Sequence, residues 1–364
     1  MNPSPKSAYI HIPFCKSICT YCDFCKLLKN PVFEQSYVKA LLEDIKKANL
    51  KKMKTIYVGG GTPSCLEDGL FASLLAELGE SLGEGYEFTV ECNPESLTPE
   101  KARIMKEAGV NRVSIGLQSA NPKYLSYLGR THTFKTVEEA IITLRSNGIE
   151  NINVDLMYGF EGENEEELLD DIKAILSLKV PHLSTYSLIL EKGTILYGKG
   201  VKETEGDILA NFYEIILKEL RKAGYRRYEV SNFALPGYES RHNLVYWHDE
   251  QYYGLGLGAS GYENGVRYKI TPSINNYLKG IRKVEEETVN KADDRSYYLL
   301  TLLRLEEGFD LREFRDRFDE DLLISRKTAI EKHLKYGNII VENDRIKATD
   351  KGMLRLDSIL VDLL

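Results

Sequence analysis

Tyr9-Ile-His-Ile-Pro-Phe-Cys15-Lys-Ser-Ile-Cys19-Thr-Tyr-Cys22-Asp-Phe-Cys25 decides the reading of this chain. Its first half alternates as a buried strand, and Ala8–Pro13 is expected to be one. Its second half places Cys15, Cys19 and Cys22 on the loop that leaves that strand. Three thiolates at this x3, x2 spacing can wrap one face of a [4Fe–4S] cluster, ligating three irons and leaving the fourth without a protein ligand. An open iron can chelate an amino group and a carboxylate. Zinc is the alternative, with Cys22-x2-Cys25 as one pair, but no second Cys/His pair at matching spacing lies downstream. Cys65 and Cys92 stand apart and are expected as small buried apolar residues.

Outward from this segment, short apolar runs alternate with longer amphipathic ones. Strands are expected at Ala8–Pro13, Thr55–Val58, Glu87–Glu91, Arg112–Gly116, Asn151–Leu156 and His182–Ser187. Helices are expected at Phe33–Asn49, Glu67–Leu82, Pro99–Ala108, Thr136–Asn147 and Glu165–Leu178. Thr98-Pro99 is a helix start, and Ala108-Gly109 and Asn147-Gly148 are helix ends. Six such units imply parallel strands with right-handed crossovers. Polar and glycine-rich residues follow nearly every strand: Cys15, Gly59–Thr62, Glu91, Gln118 and Asp155. They converge on one rim only if the sheet curls. The expected fold is therefore α/β, a partial (β/α)6 TIM-like barrel.

The 364 residues carry 48 Lys plus Arg against 55 Asp plus Glu, a net charge of −7, which excludes a global nucleic-acid footprint. No apolar run reaches the roughly 18 residues of a membrane span. The N-terminus has no signal-peptide hydrophobic region, so a cytoplasmic location is expected. From Gly193 to Lys291 the pattern loosens around a helix at Gly206–Ala223. Beyond Ala292, helices at Tyr297–Leu305, Leu311–Phe318 and Ile324–Tyr336 precede strands Ile339–Val341 and Ile346–Ala348. That is a winged-helix-like α+β pattern. Its carboxylates outnumber its cations and no basic recognition stripe appears, so a lid or docking surface is expected rather than a DNA site. The chain thus divides into 1–192, 193–291 and 292–364.

The cysteine segment resembles the signature of the radical S-adenosylmethionine (SAM) superfamily, and more narrowly of the oxygen-independent coproporphyrinogen III oxidase-like group. The resemblance spans essentially the whole chain. It implies a [4Fe–4S] cluster on Cys15, Cys19 and Cys22, with SAM on the fourth iron. Gly59-Gly60-Gly61-Thr62-Pro63 resembles the group's GGGTP element beside the SAM methionine moiety. Tyr9, Glu91, Gln118, Arg130 and Asp155 match further SAM-contacting positions. The implied chemistry is electron transfer from the cluster to the sulfonium, giving methionine and a 5′-deoxyadenosyl radical. Whether SAM is cleaved or only bound is left open.

Two departures set the chain apart from the oxidases of the group. Only eight residues precede Tyr9, where the oxidase pattern has an extra segment. Its fourth cysteine position is Phe24 here, and the extra cysteine is Cys25. His242-Asn243-Leu-Val-Tyr246-Trp247 matches the HNxxYW element of the group's haem chaperone branch. An imidazole suits axial iron ligation, and Tyr246 and Trp247 offer flat apolar faces. His248 is a nearby alternative ligand; His11 and His182 are expected to be structural. Gly254-Leu-Gly256-Leu-Gly258-Ala-Ser260 resembles a GxGxxS segment near the adenosine. The branch implies haem as ligand and acceptor haemoproteins as partners, with homodimerisation and peripheral membrane contact left open. The alternatives are oxidative decarboxylation of coproporphyrinogen III and, more remotely, a DNA-binding iron–sulfur regulator.

Overall fold

A computed structural model describes residues 4–364. Six parallel strands form its centre: β1 Ser7–Ile12, β2 Met53–Gly60, β3 Leu82–Cys92, β4 Arg112–Gln118, β5 Asn151–Tyr158 and β6 His182–Ser187. They pair in chain order. Tyr253–Leu255 adds a parallel strand outside β1, and Asn232–Ala234 with Arg226–Arg227 adds two antiparallel ones beyond β6. The two edge strands do not pair with each other, so the sheet is an open, partial barrel.

The six strands alternate in character as well as direction. Ala8, Ile10, Ile56, Val58, Phe88, Val90, Val113, Ile115, Ile152 and Val154 join the helices in one apolar core. The residues between them are Tyr9, His11, Tyr57, Glu91, Arg112, Ser114, Asn153, Asp155, His182 and Ser184. They face inward, and all but Arg112, whose Nε has no partner, bond one another. Period two in the strands thus gives an apolar outer face and a polar lumen.

Local chemistry sets the helix boundaries. Asn30 accepts from the backbone N–H groups of Val32 and Phe33 and starts Pro31–Ala48, with proline in the first turn; Asn49, left-handed, ends it. Asn164 and Glu167 form a capping box at the head of Glu165–Ser177. No helix among the described residues is long and apolar enough to cross a membrane.

Helices and a three-stranded antiparallel sheet with its own core make up the C-terminal part. Two details differ from expectation. Phe309–Asp310 is a third strand, pairing with Arg345–Ala348. The helix expected at Ile324–Tyr336 breaks at Arg326 into Leu322–Ser325 and Lys327–Lys335. Arg326 leaves helical geometry and donates to the carbonyls of Leu363 and Leu364, which the last helix leaves without partners.

Arg227, almost wholly buried, ties the barrel to this part through Glu306 and, at 2.8 Å, Asp350; Arg221 forks onto Asp350 as well. Glu306 and Asp350 remain partly hydrated, so losing Arg227 strands no fully buried charge. Arg227→Ala should therefore lower unfolding stability by about 2 kcal/mol, less than a wholly buried pair would cost. Denaturant unfolding of the two proteins checks this.

Candidate functional site

The C-terminal ends of the strands surround a cavity of about 370 Å³. Its wall includes Cys15, Cys19 and Cys22 from the first loop, Gly60, Gly61 and Thr62 after β2, and Glu91, Gln118, Arg130 and Asp155. Of the residues expected at the rim or against SAM, Cys15, Gly60, Gly61, Thr62, Glu91, Gln118, Arg130 and Asp155 meet here, while Gly59 and Tyr9 do not line the cavity. Tyr9 lies lower in the lumen, its hydroxyl 2.9 Å from His11 Nδ1 and its ring beside Tyr57.

All three cysteines are free thiols. Among the described residues, no three His, Cys, Asp or Glu side chains converge as ligands of a single ion would. A cubane cluster needs less convergence, because each thiolate binds a different iron. The surrounding donors suit such a group. Thr62 Oγ1 lies 3.6 Å from Cys15 Sγ, and Arg130 Nη1 donates to Cys19 Sγ at 3.4 Å. Burial pushes the Cys15 thiol up to about 11, with the Thr62 bond working against it; bound iron would reverse that preference. Burial also disfavours the Arg130 cation, but Tyr21 and Cys19 more than offset it. Its Nε is buried and unpartnered.

Asn93 belongs to this wall and was not singled out by the sequence reading. It donates to Thr62 Oγ1 at 3.2 Å and accepts from Arg130 at 3.1 Å, joining the supports of two cysteines. It lies inside the Glu91-Cys-Asn-Pro segment, so position alone pointed to it. Cys25 is absent from the wall. Its side chain packs where a Cβ on Gly258 would sit, and its carbonyl accepts from His11 Nε2 at 2.7 Å.

Each glycine of the GGGTP turn answers to a different neighbour. A Cβ on Gly59 would meet the Glu91 carboxylate at 2.8 Å. One on Gly60, where φ is +113°, would meet the His11 ring, and one on Gly61 would meet the backbone of Pro13 at 2.7 Å. The turn can therefore lie flat against the cysteine loop. Two carboxylates open onto the same space. Burial raises Glu91 to about 7, against the bonds from Tyr57 and Gly60, and Asp155 to about 6, against those from Asn153 and Ser184. Both are poised to ionise when a cationic ligand arrives. Gln118 holds a left-handed backbone, φ +73°, at the end of β4.

The HNxxYW element lies at the opposite end of the barrel. Arg241–Trp247 is a short helix under the N-terminal ends of the strands. Its first N–H groups, of Arg241 and His242, donate to the buried Glu87 carboxylate at 3.0 and 2.9 Å. His242 is fully buried. Its Nδ1 lies 2.8 Å from Thr55 Oγ1 and its Nε2 2.8 Å from Tyr246 Oη, and burial lowers its pKa to about 3. Neither ring nitrogen is free in this arrangement, so the expected axial role of His242 is not the one the packing presents. Trp247 packs against the C-terminal core with Arg304 over its ring, and Asn243 is half-buried. Beside the helix a cleft of about 870 Å³ opens, lined by Lys6, Lys54, Arg241, Leu244, Val245 and His248 among others.

Comparison with known proteins decides the family. The radical SAM superfamily model matches residues 9–175 and the HemN C-terminal domain model residues 292–355. A protein of Lactococcus lactis named Heme chaperone HemW is 39% identical, the match covering 97% of this chain and 95% of that one. Its namesake in Escherichia coli is 33% identical over 98% and 97%. The chain belongs to the HemW family of radical SAM proteins. The solved coproporphyrinogen III oxidase (HemN) of Escherichia coli, a radical SAM enzyme, has the same fold: TM-score 0.86, 18% identity, 99% of this chain and 90% of that one. The HemW relatives match from end to end, whereas the oxidase shares the fold at low identity.

In this HemW-family site Gly61 faces backbone, which cannot yield. Gly61→Ala should cost about 1–3 kcal/mol and lower the Tm by several degrees, as overpacking does. Differential scanning calorimetry reads it directly.

Proposed function

We propose that this chain is a haem chaperone of the radical SAM superfamily, carrying a [4Fe–4S] cluster on Cys15, Cys19 and Cys22 and SAM beside it. The observation that carries the reading is the single cavity wall shared by the three thiols with Gly60, Gly61, Thr62, Glu91, Gln118, Arg130 and Asp155. Bound there, the cluster would supply an electron to the sulfonium of SAM. The chain's own share is to hold and neutralise. Arg130 and Thr62 steady the thiolates, Glu91 and Asp155 accept hydrogen bonds from the ammonium or ribose hydroxyls of SAM, and Gly60 and Gly61 let the backbone approach.

Haem is the cargo in this reading, passed on to acceptor haemoproteins. Its berth is the cleft beside the HNxxYW helix. Leu244 and Val245 give an apolar floor, and Lys6, Lys54 and Arg241 suit propionates. His248, about a third exposed, is the imidazole that stands open to that cleft, with Glu307 3.3 Å from its Nε2. His242, Tyr246 and Asn243 build the helix that forms the cleft wall.

The cluster assignment predicts that Ala at Cys15, Cys19 or Cys22 abolishes the broad visible absorbance of the anaerobically reconstituted protein. Cys25→Ala should leave it intact; loss there would make Cys25 a ligand. The haem assignment predicts saturable binding with an imidazole-ligated Soret band that His248→Ala loses. An unchanged band in that variant would move ligation to His242 and refute the cleft as drawn.

A further inference from the structure

The lumen of the barrel joins the helix at its floor to the carboxylate at its rim. The His242 ring stacks on Tyr57, centroids 5.2 Å apart and planes 28° apart. Tyr9 flanks Tyr57 on its own side at 6.2 Å, also at 28°. Held by both rings, the Tyr57 phenol reaches up the barrel and donates to Glu91 Oε1 at 2.7 Å. The other oxygen of Glu91 accepts from the Gly60 N–H at 3.0 Å. Both oxygens are therefore aimed by the protein, one by backbone and one by a tyrosine whose position depends on its neighbours.

His242 is in turn immobilised. Thr55 and Tyr246 bond its two nitrogens, and Glu87 anchors the helix that carries it. A side chain with no accessible surface and no free nitrogen can act on a ligand only through what it packs against. What it packs against is the tyrosine that orients a cavity carboxylate.

We propose that His242 is a positioning residue for Glu91, acting through the Tyr57 ring, so that the helix under the barrel sets how the carboxylate is presented to SAM. The inference rests on the reading that SAM occupies the rim cavity. It gives the motif histidine a role in SAM binding in place of direct iron ligation. Truncating the imidazole leaves a void on one side of Tyr57, frees the phenol to swing, and releases one oxygen of Glu91.

The test is a double-mutant cycle on the full-length, cluster-loaded protein. SAM affinity is measured by anaerobic calorimetry well below the Tm and checked by the SAM-induced change in the EPR spectrum of the reduced cluster. Tyr57→Phe removes the hydroxyl and keeps the ring; it should weaken SAM binding about tenfold, the worth of one hydrogen bond to a charged group. His242→Ala should weaken it similarly with cluster absorbance unchanged, and the double variant should be no weaker than His242→Ala alone. A purely structural role would lower the Tm without moving SAM affinity. If His242→Ala does not fold, Thr55→Val, which releases Nδ1 but keeps the imidazole, takes its place. Wild-type affinity in Tyr57→Phe, or losses that simply multiply in the double variant, would overturn the proposal while leaving SAM binding intact. A wild-type protein that binds no SAM would overturn both the proposal and the reading beneath it.

Discussion

A polar lumen inside an apolar sheet is the constraint on which the rest of this structure depends. Every second residue of six strands points into a space without bulk water, and each polar group there must find a partner or cost about 1–3 kcal/mol. The chain meets most of this with two bonded groups, leaving Thr89 Oγ1 and Arg112 Nε without partners. Asn153 bonds Ser114, Asp155, His182 and Ser184; His182 also reaches Tyr228; Tyr57 reaches Glu91. Such a network is rigid because few of its members can move without stranding another. Rigidity at the rim is what a small, charged ligand requires, since a site displaced by an ångström loses its selectivity for geometry.

The same constraint explains why the two ends of the barrel differ. At the C-terminal end the network opens onto the cavity, and Glu91 and Asp155 stay near the point of ionisation because burial opposes their charge. At the N-terminal end it must be closed. A seven-residue helix does so, pinned by the Glu87 carboxylate and by His242. Three histidines, His11, His182 and His242, are buried there or in the lumen with their pKa lowered, chiefly by desolvation. They work as neutral hydrogen-bonding wedges, each ring nitrogen matched to a partner.

Much of this was legible in the residues. The six strands lie where alternation put them, β6 to the residue, β1 shifted back by one and the other four extended by a few positions, because period two in a buried parallel strand is a strong signal. The rim was legible for a topological reason: residues after successive parallel strands meet once the sheet curls. What the sequence hid was shorter or non-local. The hairpin Ser260–Glu263 with Val266–Ile270 turns on Asn264-Gly265, both with positive φ. That dipeptide is a hairpin signal, and it was passed over amid aromatic, glycine-rich surroundings. Phe309–Asp310 is too short for any period to show. Arg326 breaks a helix for the sake of carbonyls nearly forty residues away, which no local window contains.

His242 is the instructive case, because its spacing leaves its geometry open and the fold decides it. A histidine between aromatic residues fits two opposite structures. In one the imidazole faces an open pocket and its free nitrogen takes a metal; in the other it is a core residue with both nitrogens consumed. Spacing cannot separate them, since Tyr246 lies one helical turn away in either case and can serve as a haem wall or as a hydrogen-bond partner. The partners that decide the matter are Thr55 and Tyr57, almost two hundred positions earlier on β2. They reach His242 only because the helix folds back under the first half of the barrel. The motif therefore encodes a contact between a late segment of the barrel and one of its first strands. A substitution at His242 is therefore expected to disturb that contact, whether or not iron is bound nearby.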